Sequence, residues 1–328
     1  MDATSLLARL QTLRAHMHRC FTRHRDALFA LTDAILTAGL APSLATLSLQ
    51  PVHQRGHGSL YGALQHGRMD VERLRTLVAR TVEPQAPRVF AVDTTTWIRN
   101  DAETSPGRGY HYHTSRHSGG RPFVAGWSYS WVAGISGQRR SWTTSLDVRR
   151  VHMDTNFHAV ALEQMQHVLH ALPGGEPPLF VFDGGYDPMR LAMNTDPSKA
   201  AILERIRRNR NFYADAQNTY SAIGGRPKRH GTKFSCHDPS TWTAPTYELC
   251  EQDARYGQVN VRAWSGLHSK VTDPNRRGPD QPRPILKGTV LPVEVSRLPR
   301  EVRAPKVLWL WWRGPGEPDL VLLWRAYV

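Results

Sequence analysis

The chain has 328 residues, 40% of them hydrophobic, with ten tryptophans, a composition that excludes a disordered polypeptide. Its length admits two domains, or one domain carrying a large insertion. A formal net charge of +14 points to a polyanionic partner, nucleic acid first and an acidic membrane surface second.

From the N-terminus, residues 5–39 carry Leu6, Leu10, Leu13, Met17, Phe21, Leu28, Leu31 and Ile35 at helical spacing, and Gly39 with Pro42 stops the run. Two shorter helical patterns follow, the second opening at Asp70 as N-cap of VERLRTLVARTV. Residues 1–82 therefore read as a small all-helical unit, and EPQAPR, 83–88, as a linker. In HQRGHG, 53–58, a phosphate contact through Arg55 and a tight interhelical turn are both open readings.

From Val89 the pattern changes. VFAVDTTTW reads as a strand, and residues 121–136 and 139–151 as two more. An amphipathic helix over 156–172 and a short buried strand within 177–187 complete an α/β plan in which the fourth strand pairs in parallel with the first. Beyond Ala200, AAILERIRRNRNFY has a helical pattern. After it come the strand-like segments TYELCEQ, QVNVRAW, TVLPVEVSRL, KVLWLWWRG and DLVLLWRAYV.

Asp93 and Asp183 each end an apolar strand before small or hydroxylated residues. Either alone reads as a turn residue. On neighbouring strands, however, the two carboxylates emerge at one sheet edge, where like charges are costly unless divalent cations lie between them. Hard oxygen ligands of this kind suit Mg²⁺ or Mn²⁺, and two such ions support phosphoryl transfer.

With these residues the chain resembles the DDE transposases of bacterial insertion sequences, in the branch marked by a Tyr-x-x-Arg-x-x-x-Glu-x-x-x-x-x-x-Lys motif. VFAVDTTTW matches the first catalytic strand of that family, and Asp183-Gly184-Gly185-Tyr186 matches its Asp-x-Gly-Tyr/Phe signature. The segments 146–151 and 224–231 match more loosely. The resemblance implies a ribonuclease-H-like mixed sheet with a helical N-terminal DNA-binding region over 1–88. The first part of the catalytic core would occupy 89–204, and a β-rich insertion returning to the core would occupy 205–328. It implies Asp93 and Asp183 as catalytic metal ligands, two Mg²⁺ or Mn²⁺ ions, double-stranded DNA as partner at transposon ends and target, and room for a homodimer on DNA. The family's third carboxylate is not found. Tyr327 fits the opening of its motif, so the expected Glu would lie past Val328, as in a C-terminally truncated transposase. Glu317 and Asp319, in the hairpin-like RGPGEPD, are the nearest acids upstream.

The stretch 206–234 interleaves Arg207, Arg208, Arg210, Arg226, Lys228 and Arg229 with Phe212, Tyr213 and Tyr220, a pattern suited to phosphate contact and base stacking. The resemblance also implies an insertion tryptophan that stacks on a flipped base, and Trp264 is the one singled out for it. HYHTSRH, 111–117, has zinc-compatible histidine spacing but no cysteine or acidic partner, and reads better as a polar loop. Cys20, Cys236 and Cys250 are too few and scattered for a disulfide framework. No apolar run reaches the roughly 18–20 residues of a membrane span, and the N-terminus lacks a signal peptide. The expectation is a cytoplasmic protein without a membrane partner, on the nucleoid when bound to DNA. It is a DDE endonuclease and strand transferase, or else a catalytically dead DNA-binding repressor derived from one.

Overall fold

The computed structural model describes residues 2–40, 43–82, 88–112, 122–135, 143–217, 228–270, 284–299 and 306–328. They fall into two compact units, 1–82 and 83–328.

In the first unit Asp2 caps α1 (Ala3–Cys20) by accepting from the Ser5 amide. The single helical run expected over 5–39 is interrupted. Phe21–Arg23 forms β1, His24 takes a left-handed conformation at φ 52°, and α2 (Arg25–Ala38) resumes the helix. Aromatic Phe21 and β-branched Thr22 suit an extended backbone better than a helix. The break is held from outside: β1 pairs with β2 (Arg68–Met69), and the Asp70 amide donates to the Cys20 carbonyl. Between these lie α3 (Leu44–Ser48) and α4 (Gly58–His66); α5 (Val71–Ala79) follows with Asp70 as its N-cap, as its sequence predicts. Leu31, Ala34, Leu47 and Leu60 form the core. Segment 53–58 is the turn into α4, with Arg55 3.7 Å from Asp26.

The second unit opens with β3 (Val89–Ile98), β4 (Gly109–Tyr112), β5 (Phe123–Ile135) and β6 (Thr143–Val151). Then come α6 (Phe157–Ala171), β7 (Leu179–Phe182), α7 (Pro188–Met193) and β8 (Ala201–Ile206). In the sheet, β6, β5, β3, β7 and β8 lie side by side, the first three antiparallel and the last two parallel to β3. This is the mixed ribonuclease-H-like order expected from the sequence. β4 shares with β6 the edge of β5 away from β3.

The remaining strands are β9 (Asn211–Tyr213), β10 (Lys233–Ser235), β11 (Tyr247–Asp253), β12 (Gly257–His268), β13 (Lys287–Val295) and β14 (Val307–Arg313). They extend the same sheet, because β14 pairs antiparallel with β8, to give twelve strands among the described residues. The expected β-rich insertion thus shares one sheet and one compact unit with the core.

Two expectations need correction. The helical pattern from Ala200 is strand: Ala201, Ile202, Leu203 and Glu204 are buried in succession between β7 and β14, and a strand covered on both faces shows no alternation. Conversely, the last expected strand is helix α8 (Leu320–Tyr327). Asp319 caps it by accepting from the Leu322 amide, so RGPGEPD leads into a helix rather than a hairpin. Leu320, Leu323 and Trp324 bury one face of α8 on Val89, Val181, Leu203, Leu291 and Leu310. Burial of side chains this size contributes roughly 1.5–3 kcal/mol each. The opposite face of the core strands is covered by α6, which buries Val160, Met165 and Val168. No described helix is long and apolar enough to cross a membrane.

Candidate active site

Asp93 lies within β3 and Asp183 immediately follows β7. The parallel register pairs Val92 with Phe182, so the next step brings Asp93 and Asp183 to one edge of the sheet. Each carboxylate is held by nearby backbone: Asp93 Oδ1 accepts from the Thr94 amide at 2.7 Å, and Asp183 Oδ1 from the Gly185 amide at 2.9 Å. Partial burial raises the Asp93 pKa, the Thr94 hydrogen bond opposes this, and the charge of Asp183 adds to the rise. The pair therefore gains from a cation placed between its members.

The turn after Asp183 is tightly specified. A Cβ on Gly185 would stand 3.0 Å from Asp183 Oδ1, so the close approach of this backbone favours glycine. The Asp187 amide donates to His158 Nε2 at 3.0 Å. Nε2 must therefore carry no proton, which leaves Nδ1 to donate to Asn156 Oδ1 at 3.2 Å. Burial lowers the His158 pKa and favours this neutral form, as does the charge of Arg190. Tyr186 is buried in an edge-on aromatic cluster with Phe182, Phe157 and His158. Its phenol pKa is raised by burial first and then by Asp93.

Beneath Asp93 the sheet carries a buried polar cluster. Ser130, which pairs with Thr94, donates to Gln164 Oε1 at 2.6 Å; Gln164 Nε2 donates to the Ser130 carbonyl and to Asp147 Oδ1. Asp147, fully buried, also meets Arg149 and His167. This cluster joins α6 to β5 and β6 directly behind the acidic edge.

A third carboxylate, missed in the sequence, lies close by. Glu204 on β8 pairs with Phe182, is 1% exposed, and has one oxygen without a hydrogen-bond partner. Burial, together with the charges of Asp187 and Asp183 and against that of Arg210, pushes its pKa up to about 9, so it is protonated at neutral pH. Its segment reads as helix from sequence, and that hid its approach to Asp183. Tyr327 on α8 also reaches this region: burial first, opposed by Arg205, and then Asp183 push its pKa up to about 12.

A cleft of about 740 Å³ opens from Asp183, lined among others by Arg207, Arg208, His237, Trp242 and Trp309. Two of the predicted DNA contacts, Arg207 and Arg208, thus share a cavity with a catalytic candidate. Arg210, Lys228 and Arg229 are outside its lining, and Arg226 lies outside the described residues. Trp264 is a correction to the sequence reading. It is 3% exposed and donates Nε1 to the Thr243 carbonyl, which leaves no free face for a base. Trp242 does line the cleft, but its Nε1 donates to the Ser235 carbonyl and its ring is packed by Arg262 at 5.1 Å, by Phe234 stacked at 6.1 Å, and by Trp264 and Trp309. No sequence pattern marks Trp242, because its place at the cleft is set by packing against Phe234, Trp264 and Trp309. Of HYHTSRH, His111 lies in β4, and residues 113–117 are outside the described residues. Glu317 stands near Tyr247, away from the acidic edge, and Asp319 serves as the α8 cap. All three cysteines are free.

For a divalent metal the donors fit in kind: two carboxylates converge, and hard oxygen ligands suit Mg²⁺ or Mn²⁺. The set is short, since the described residues contain no group of three His, Cys, Asp or Glu side chains able to hold an ion.

A family model described as DDE superfamily endonuclease matches residues 16–270. No curated protein matches the sequence. Among solved structures, a piggyBac transposase synaptic complex with hairpin DNA aligns at 12% identity and a TM-score of 0.39. The alignment covers 89% of this chain and 52% of that one, so the chain spans about half the length of that transposase.

Proposed function

Because this chain belongs to the DDE superfamily endonucleases, we propose that it is a DNA transposase: it nicks double-stranded DNA at the ends of a mobile element and joins the freed end to target DNA. The observation that carries the reading is the convergence of Asp93 and Asp183 on adjacent parallel strands, at the mouth of a cleft lined by Arg207 and Arg208.

In this reading Asp93 and Asp183 hold divalent metal. When bound, Mg²⁺ or Mn²⁺ activates the attacking oxygen and stabilises the leaving one. The protein's own residues do the positioning. The Thr94 and Gly185 amides orient the two carboxylates, and His158 fixes the turn after Asp183. Arg207 and Arg208, lining the cleft with Asp183, would pair with backbone phosphates.

Calorimetric titration with Mn²⁺ tests the metal assignment. Asp93→Ala and Asp183→Ala should each lower affinity by at least about tenfold, as removal of even an outer-shell partner typically costs 10–100-fold. Binding curves that match the unsubstituted chain would refute it. Nicking of end-sequence DNA in Mn²⁺ then tests the activity.

The absence of a third ligand among the described residues favours a second reading, a DNA-binding protein without cleavage activity, related to transposases. Salt-sensitive binding to end DNA with no nicking in Mn²⁺ would support it over the first.

A further inference from the structure

Away from the cleft, β3, β4 and β5 carry a second surface. The residues at alternate positions of β3, Asp93, Thr95 and Trp97, are exposed, while Phe90 and Val92 point into the core. The antiparallel register sets Asp93 against Trp131, Thr95 against Tyr129 and Trp97 against Trp127. Continuing outward, Phe123 pairs with Tyr112, and Ala125 with Tyr110. Because side chains on a strand alternate between faces, all of these share one side of the sheet. The even-numbered partners on β5, such as Val124, Ser128, Ser130 and Val132, are buried on the other side.

The result is a strip of rings that starts beside Asp93 and runs to the sheet edge. Trp97, Tyr110, Tyr112 and Phe123 are 56–69% exposed, a large cost for side chains of this size unless something covers them. Asp93 to Trp97 alone spans about 13 Å at 3.3 Å per residue. A cation is built into the strip. The Arg150 guanidinium lies 5.8 Å from the Trp127 ring and donates to the Pro106 and Gly107 carbonyls. Gly107, at φ 66°, leaves it room, since a Cβ there would strike the guanidinium. Arg99 lies 6.0 Å from the Trp97 ring, but its guanidinium donates through two nitrogens to Asp101, so Arg150 is the cation the strip offers.

We propose that this strip is a stacking platform for unpaired single-stranded nucleic acid leading to or from the Asp93–Asp183 edge. The proposal rests on the nucleic-acid reading given above and adds a strand-selective site outside the cleft. Rings standing free on an open face can stack only on bases whose own faces are free, which a duplex does not offer and a single strand does. Arg150, held over the Trp127 indole and hydrogen-bonded among the described residues only to carbonyls, complements a phosphate backbone in a chain of net charge +14.

The test uses the full chain, fluorescence anisotropy and two probes: a labelled oligothymidylate and a labelled mixed-sequence duplex. Trp97→Ala, Tyr110→Ala and Tyr112→Ala remove exposed rings. Each should weaken oligothymidylate binding by about tenfold, the equivalent of roughly 1.4 kcal/mol, and leave duplex binding unchanged. Unchanged oligothymidylate affinity in all three variants overturns the platform, as does equal loss on both probes. A chain that binds duplex but not oligothymidylate refutes this inference and leaves the transposase reading standing. A chain that binds neither probe removes both. If sizing shows a self-associated chain that Trp97→Ala dissociates, the strip is a protein interface and the proposal fails.

Discussion

Glu204 is a carboxylic acid in a place that ionised carboxylates avoid, 1% exposed with an unpartnered oxygen. Its pKa in the folded protein, pushed from 4.5 to about 9, ties stability to pH. Between those values the folded state keeps a proton that the unfolded chain releases. Stability therefore falls as pH rises through this window, by up to about 1.4 kcal/mol per pH unit. Glu204→Gln keeps the shape and removes the ionisation. The variant should match the unsubstituted chain near pH 4–5 and exceed it in melting temperature near pH 8. Parallel melting curves across that range would show that Glu204 does not carry the effect.

At the scale of elements, α8 shows how a short terminal helix closes one face of the sheet. Trp324 is 2% exposed, packs edge-on against Tyr256, and its indole N–H makes no hydrogen bond, so its contribution is packing. Trp324→Ala should cost about 3–5 kcal/mol. Urea denaturation reads this as a lower midpoint, and a loss under about 1 kcal/mol would mean that α8 docks loosely. Elements with a clear period were legible from sequence: β3 and β7 through their apolar runs ending on acids, α6 through its amphipathic face, and α5 through the Asp70 cap. The acid pair was legible because it depends only on those two strands. What failed lay where local pattern and tertiary setting disagree. β8 is buried on both faces and lacks alternation, while α8 is built from Leu, Val and Trp, residues that also suit strands. Losing β8 meant losing Glu204. Trp264 and Trp242 could not be told apart, since which indole faces a cleft is decided by pairing across β12, β13 and β14.

For the whole molecule, the charge excess should be read out as the salt dependence of nucleic-acid binding. Arg207 and Arg208, both exposed at the end of β8, line the cleft beside Asp183. If both contact phosphates, the double variant Arg207→Ala/Arg208→Ala should flatten the log–log salt dependence of duplex binding by about 2. An unchanged slope with weaker binding would assign them a structural role instead.

The antiparallel pairing of β14 with β8 has a mechanical consequence. β8, which ends at Ile206 just before Arg207, and β14, which carries Trp309, are neighbours in one ladder, not parts of two bodies joined by a hinge. Prising them apart would break backbone hydrogen bonds along a buried strand. In the proposed function, DNA would therefore meet β8 and β14 as one fixed wall of the cleft, an anvil rather than a pair of jaws.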